Sequence, residues 1–204
     1  MSPSRARLSG HAAEVAPALL GARLESDLLG ERVAIRLTEV EAYGGVGEDP
    51  GSHAFRRMTP RNATMFGRPG LLYVYFTYGM HHCANVVTGP QGSAGAVLLR
   101  AGEVVEGVEA ARDRRPSARA DRDLARGPAR LATALGLDLG VDALDLLDPA
   151  SPVRLHPLAR RPGGIATSAR TGVAGPGAPT PWRFILTGEP TVSPYRPARP
   201  RAGG

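Results

Sequence analysis

The sequence lacks several of the materials from which function is commonly built. It has one cysteine, Cys83, which excludes an internal disulfide and a zinc site made of several cysteines. It has no lysine. All 25 basic residues are arginine, so no side-chain amine exists to form a Schiff base. Nowhere do about 18 uncharged apolar residues follow one another, so no segment reads as a membrane span. The basic N-terminal stretch meets Glu14 and Pro17 before any apolar run develops, and no signal peptide is expected. The expectation is a soluble cytoplasmic protein, nucleoid-associated if bacterial, with no membrane partner. Acidic residues are also missing from positions 50 to 102, where an even spread of 19 over 204 would place about five.

What is present suits one folded domain. An apolar fraction of 42% with 22% charged residues can bury a real core. The domain is expected to span residues 12–195, with flexible tails at 1–11 and 196–204. Ala12, Val15, Ala18 and Leu19, ahead of Gly21, predict a short helix over 12–20. Residues 22–28 and 32–43 read as a hairpin through Gly30. Strict alternation along the second strand puts Val33, Ile35, Leu37, Glu39, Glu41 and Tyr43 on one face, beginning as core and ending in a pocket. Residues 44–70 read as a long ordered loop with one helical turn, and such loops are commonly functional. Strands are expected at 71–78, 84–88 and 95–101, with a turn at 89–92. Helices follow at 103–114 and 123–136 around a mobile basic loop at 115–122, then short strands near 152–156, 165–170 and 182–188. The pattern is α+β: a single mixed domain, mainly antiparallel sheet with flanking helices and a long pocket loop.

The net charge of +6 is carried by forked guanidinium groups, which suit phosphate and base contacts. The acid-free window holds Arg56, Arg57, Arg61, Arg68 and Arg100, and six of the ten aromatics: Phe55, Phe66, Tyr73, Tyr75, Phe76 and Tyr78. Phosphates attract arginine and bases stack on rings, so this is the composition of a nucleic-acid surface; a buried central strand accounts for some of the rings. Residues 112–130, with seven arginines against three aspartates, read equally as a solvated basic face or as DNA contact. Glu41 beside Tyr43 at a pocket edge can serve as a general base. Glu39, two positions along the same strand, cannot flank a substrate from the opposite side as a glycosidase pair does. One carboxylate acts and the other supports it or does nothing. His81 and His82 are adjacent and diverge on a strand, and with His53 and Cys83 they form no paired-histidine zinc motif. No metal or other cofactor is expected.

A set of longer motifs comes in fixed order: Thr-Glu-Val-Glu-Ala-Tyr (38–43), Ser-His-Ala-Phe (52–55), Thr-Pro-Arg-Asn-Ala-Thr-Met-Phe (59–66) and Pro-Gly-Leu-Leu-Tyr-Val-Tyr-Phe-Thr-Tyr-Gly-Met (69–80). Cys-Ala-Asn-Val (83–86), Ala-Val-Leu-Leu-Arg-Ala (96–101), Gly-Pro-Ala-Arg-Leu (127–131) and Ser-Ala-Arg-Thr-Gly-Val (168–173) follow. In these the chain closely resembles the alkyladenine, or 3-methyladenine, DNA glycosylase family of the mammalian type, over about residues 12–195. The resemblance implies an enzyme that bends double-stranded DNA, flips out a damaged purine and hydrolyses its N-glycosidic bond. By the same resemblance Glu41 is the general base, and Arg100 and the backbone carbonyl of Thr171 hold the attacking water; valine is common at that last position, so Thr171 is a mild departure. Tyr43, His53 and Tyr75 are the walls around the flipped base, Asn85 crowds a guanine amino group, and Tyr78 wedges into the duplex. Arg56, Arg57, Arg61 and Arg68, with the helix opening near Gly127, are expected at phosphates. A monomer is expected. Two other readings compete: a catalytically inactive duplex-DNA-binding protein of the same fold, and a related-fold enzyme acting on a formyl or nucleotide substrate.

Overall fold

Alternating apolar residues put much of the chain into strands, and pairing of those strands organises everything else. In the computed structural model, which describes residues 5–156 and 162–198, the elements in chain order are α1 (Arg5–Leu8), α2 (Ala12–Leu19), β1 (Arg23–Ser26), β2 (Val33–Tyr43), β3 (Leu72–Thr77) and β4 (His81–Val87). They continue as β5 (Ala96–Glu106), α3 (Val108–Arg114), α4 (Pro128–Leu135), β6 (Val153–His156), β7 (Ile165–Ser168) and β8 (Arg183–Leu186). The strands form one antiparallel sheet of order β3-β4-β5-β2-β1-β6, with β8 added to β2 and β7 to β8. The α+β class, the mainly antiparallel sheet and the flanking helices are as the sequence implies.

One edge of β2 is divided between two partners. Residues 33–36 pair with β1, and Glu39, Val40 and Glu41 pair with Ile185, Phe184 and Arg183 of β8. The other edge pairs with β5 throughout, and there the register shifts between Leu37 and Glu39 and again between Glu39 and Val40. This bulge corrects the single-face reading of β2. Val33, Ile35 and Leu37 belong to the main core cluster, but it is Val40 and Ala42 that continue it. An extra residue in a strand exchanges its faces. Glu39, Glu41 and Tyr43 therefore lie on the face opposite the first three apolar residues, with a second, smaller core of Ala54, Met65, Phe66, Tyr73, Val87 and Ala96 packed beneath the long loop.

Other differences are local. The expected helix at 103–114 is strand as far as Glu106 and helix only from Val108. The break is Gly107, at φ 72°, where a Cβ would stand 2.0 Å from the carbonyl oxygen of Arg32. The helix expected over 123–136 begins at Pro128, because Gly127 at φ 127° precedes it and proline fits a first helical turn. The basic loop at 115–122 is pinned: Arg112 pairs with Asp121 at 2.7 Å and the Arg115 Nε donates to the Leu124 carbonyl. Ahead of α2, Leu8 is buried and Arg5 pairs with Asp145 at 2.7 Å. Residues 1–4 and 199–204 of the expected tails lie outside the described residues.

Two glycines separate the strain of a left-handed backbone from a steric clash. At Gly92, with φ 92°, a Cβ would have no neighbour within 4 Å, so Gly92→Ala should cost about 1–2 kcal/mol for the backbone conformation alone. Gly107→Ala adds the collision with Arg32 and should cost more than about 3 kcal/mol. Urea unfolding at unchanged slope measures both, and equal midpoints would show that the β5–α3 junction relaxes freely.

Candidate active site

The face of the sheet that carries Glu41 closes one side of a cavity of about 480 Å³. Its lining includes Tyr43, His53, Tyr75, Tyr78, Asn85, Arg100 and Thr171. These are seven of the residues singled out by sequence, and they arrive from the end of β2, the long loop, β3, its hairpin, β4, β5 and the segment after β7. Pro128 at the start of α4 also reaches the cavity.

Glu41 lies behind this lining and is fully buried. Its Oε1 accepts the Thr171 N–H at 2.7 Å, and its Oε2 accepts the Tyr43 hydroxyl at 2.9 Å and the Arg100 Nη1 at 3.3 Å. All three donors belong to residues of the cavity wall. Burial pushes the Glu41 carboxyl above its ordinary value, against the pull of Arg100, the Thr171 amide and Tyr43. Tyr43 is itself driven well up by burial and by the neighbouring Glu41 charge.

Glu39 is equally buried but more heavily compensated. Its Oε1 meets the Arg100 Nε at 2.7 Å and the Arg183 Nε at 2.8 Å, and its Oε2 accepts the Ser193 N–H at 2.7 Å. Burial raises its pKa, but Arg100 and Arg183 outweigh that and hold it below the usual carboxylate value. The two glutamates, two residues apart, are thus tuned in opposite directions: burial prevails at Glu41, whereas at Glu39 the shared Arg100 together with Arg183 outweighs it. Environments that separate two carboxylates in this way commonly mark an acid–base site. Glu39 aims Arg100, and Arg100 touches Glu41.

The aromatic walls are built by strand pairing. Tyr73 and Tyr75 sit across from Asn85 and Cys83, and His53 packs edge-on to Tyr75 with ring centroids 4.6 Å apart. Burial pushes the Tyr73 hydroxyl up to about 12 and raises the Tyr75 hydroxyl and the Cys83 thiol as well. Partial desolvation in the wall and the nearby Arg61 hold His53 below the usual imidazole value. Asn85 is buried, its Nδ2 donating to the Tyr73 carbonyl at 3.1 Å. Tyr78 stands at the tip of the β3–β4 hairpin with φ 51°, followed by Gly79 at 68°, and the Met80 N–H closes the turn on Thr77. Two positive φ values are what a tight hairpin turn of this hand requires. The ring that results is 89% exposed.

The expected phosphate ligands divide. Arg56, Arg57 and Arg61 are exposed and make no salt bridge among the described residues, the Arg61 guanidinium lying 5.7 Å from the Tyr75 ring centre. Arg68 is tied to Asp145 at 2.8 Å, so its charge is partly spent within the fold. His81 and His82 pair with Thr77 and Phe76 in successive register positions and diverge. Sequence reasoning missed Arg183, Ser193, Asp49 and Arg170. Arg170 lies inside the Ser-Ala-Arg-Thr-Gly-Val motif, and Asp49 is the last acid before the acid-free window, but neither carries a signal of its burial.

A model of the family described as methylpurine-DNA glycosylase (MPG) matches residues 6–190. Among similar proteins, one from Streptomyces avermitilis is 54% identical over 92% of this chain and 89% of its own length. One from Leifsonia xyli is 54% identical over 95% and 92%, and one from Nocardia farcinica 55% over 91% and 87%. Each of the three bears the name "Putative 3-methyladenine DNA glycosylase". With these similarities the chain is a hydrolase of the DNA glycosylase class, acting on N-glycosyl bonds in the repair of DNA damage. It belongs to the methylpurine-DNA glycosylase family.

The opposed tuning of the two glutamates has a consequence for stability. The folded state holds the Glu41 proton more tightly than the unfolded chain does, so ionising Glu41 weakens the fold as pH rises through that raised pKa. Glu41→Gln should therefore match or exceed wild-type stability at pH 7, with the advantage vanishing towards pH 4. Glu39→Gln should cost about 3–5 kcal/mol at pH 7 because it leaves two buried guanidinium groups under-compensated. Chemical denaturation at the two pH values reads both, and a Glu41→Gln protein much weaker than wild type at pH 7 would refute the assignment.

Proposed function

We propose that the protein is a monofunctional glycosylase that flips alkylated or deaminated purines out of duplex DNA and hydrolyses the N-glycosidic bond with a water activated by Glu41. The observation that carries this reading is the fully buried Glu41 carboxylate, fixed by three donors that themselves line an aromatic cavity. Binding phosphate gives no use for a buried acid, which disfavours an inactive duplex-binding protein. The exposed Tyr78, and the exposed Arg56, Arg57 and Arg61 that make no salt bridge among the described residues, disfavour an enzyme for a free formyl or nucleotide substrate. The relatives' names point to 3-methyladenine as one substrate.

A stacked base is out of reach, so it must be extruded, at a few kcal/mol. Tyr78, projecting from a turn whose backbone fixes its direction, fills the gap, and Arg56, Arg57 and Arg61 hold the phosphates on either side. The base enters between Tyr43, His53 and Tyr75. Cationic alkylpurines gain most there, because ring faces attract positive charge. Asn85, fixed by the Tyr73 carbonyl, crowds an exocyclic amine in the manner of a clash that disfavours guanine. Water held by Glu41, Arg100 and the Thr171 carbonyl attacks the anomeric carbon. Its oxygen bonds to that carbon, its proton passes to Glu41, and the bond to the base breaks with the electron pair leaving on the base. The protein works as a monomer in the cytoplasm.

Single-turnover excision of 7-methylguanine from a duplex tests the base. Glu41→Gln should slow release by about 10²–10⁴-fold with binding nearly intact, whereas folded Glu39→Gln should keep much more of the rate. In wild type the rate should climb with pH along an acid limb displaced upward from an ordinary glutamate, since only ionised Glu41 accepts the proton. An exchange of the two phenotypes would overturn the assignment.

The absence of lysine tests the nucleophile. Glycosylases that also cut the strand attack with an amine through a Schiff base, and arginine is too firmly protonated to do so. Borohydride should trap no protein–DNA adduct, and strand breaks should appear only after alkali or heat. A trapped wild-type adduct that disappears when the N-terminus is blocked would mean a terminal-amine mechanism instead.

A further inference from the structure

The tyrosine that walls the cavity has a buried cation behind it. The Arg170 guanidinium stands 4.7 Å from the centre of the Tyr43 ring and 5.4 Å from that of Trp182. Arg170 is 1% exposed and is absent from the cavity lining to which Tyr43 belongs, so the guanidinium meets the ring from within the protein and not from the cavity. The guanidinium is clamped there. Nη1 and Nη2 meet the two Asp49 oxygens at 2.6 and 2.7 Å, Nη1 also donates to the Ala42 carbonyl at 3.0 Å, and Nη2 to the Gly177 carbonyl at 3.3 Å. Asp49 is held in turn by the N–H groups of Gly44 and Gly51. Gly51 leaves room for the pair, since a Cβ there would come within 2.7 Å of Nη2.

We infer that the Arg170–Asp49 pair sets how strongly the cavity favours cationic over neutral bases. The inference rests on the proposed base-flipping function. A cation over one face of an aromatic ring draws its π density towards itself and weakens the attraction that the other face offers to a second cation. Arg170 occupies that position permanently, and Asp49 offsets its field in a site where charges are poorly screened. The wall seen by a flipped base is therefore a ring backed by a nearly neutral pair. It is less selective for cations than a bare tyrosine, and it can accept neutral purines beside alkylated cationic ones. Arg170 and Asp49 act through Tyr43 and are positioning residues.

The test uses the Glu41→Gln background, where the duplex is held with little base release. Affinity is measured for duplexes carrying 7-methylguanine, which is cationic, or hypoxanthine, which is neutral, with an undamaged duplex as reference. The change in the ratio between the two lesions on substitution is what counts, because shape differences between the bases and any inactive fraction cancel. Asp49→Asn, which keeps the guanidinium on the ring, should lower the preference for the cationic lesion about 3–10-fold. Arg170→Gln should raise it by a similar factor, and the double variant, which leaves a bare tyrosine, should fall between the starting ratio and that of Arg170→Gln. Arg170→Lys should hold the ratio closer to the start than Arg170→Gln does. Should Arg170→Gln fail to fold, Asp49→Asn decides alone. Affinities for the two lesions that fall together, with the ratio unchanged, would make the pair a mere prop for the loop and overturn the inference. No preference for either lesion over undamaged duplex in the Glu41→Gln protein would overturn the base-flipping reading beneath it.

Discussion

Two carboxylates buried on one strand are the constraint to which the rest of this structure answers. An ionised carboxylate away from water is tolerated only with charge and hydrogen bonds around it. Glu39 and Glu41 draw those partners from widely separated parts of the chain: Arg100 from β5, Arg183 from β8, Thr171 from the segment before β8, and Ser193 from beyond it. The requirement explains why β8 joins β2 at Glu39–Glu41 and nowhere else along it. It also accounts for the contacts of Thr171, Arg183 and Ser193 with β2.

Compensation is fuller for Glu39 than for Glu41, and in the proposed mechanism that inequality separates scaffold from chemistry. Glu39 receives two guanidinium groups and stays firmly ionised. Glu41 shares the more distant nitrogen of one of them and otherwise meets a tyrosine hydroxyl and an amide. A carboxylate with a raised pKa and partners facing an open cavity is a better proton acceptor than one saturated by arginine. The same logic of a charge and its shield recurs behind Tyr43, where Asp49 answers Arg170.

Much of this is legible in the order of residues alone. Strand positions, the long loop with its single turn at 63–66, and the hairpin that carries Tyr78 follow from alternation, Gly and Pro placement, and aromatic density. The acid-free window holds Arg56, Arg57 and Arg61, which are exposed and make no salt bridge among the described residues. Alternation misleads at one point, because a bulge leaves no composition signature: Leu37, Thr38, Glu39 and Val40 look like ordinary strand, yet the faces exchange there. Helix propensity misleads at 103–106, where pairing with β2 overrides it and only Gly107 ends the strand.

The sequence by itself determined the chemical vocabulary: no lysine for imine chemistry, one cysteine, arginine as the sole cation, and two glutamates next to a tyrosine at a strand end. These are properties of composition and local order, and no folding can add to them. Tertiary structure decided which glutamate is left incompletely neutralised, which arginines face solvent and which are sealed inside, and which side of Tyr43 meets a cation. Those outcomes depend on contacts such as Glu39 with Ser193 and Asp49 with Arg170, more than a hundred positions apart. Burial is a property of the packed whole, and desolvation sets the strength of every charge within it.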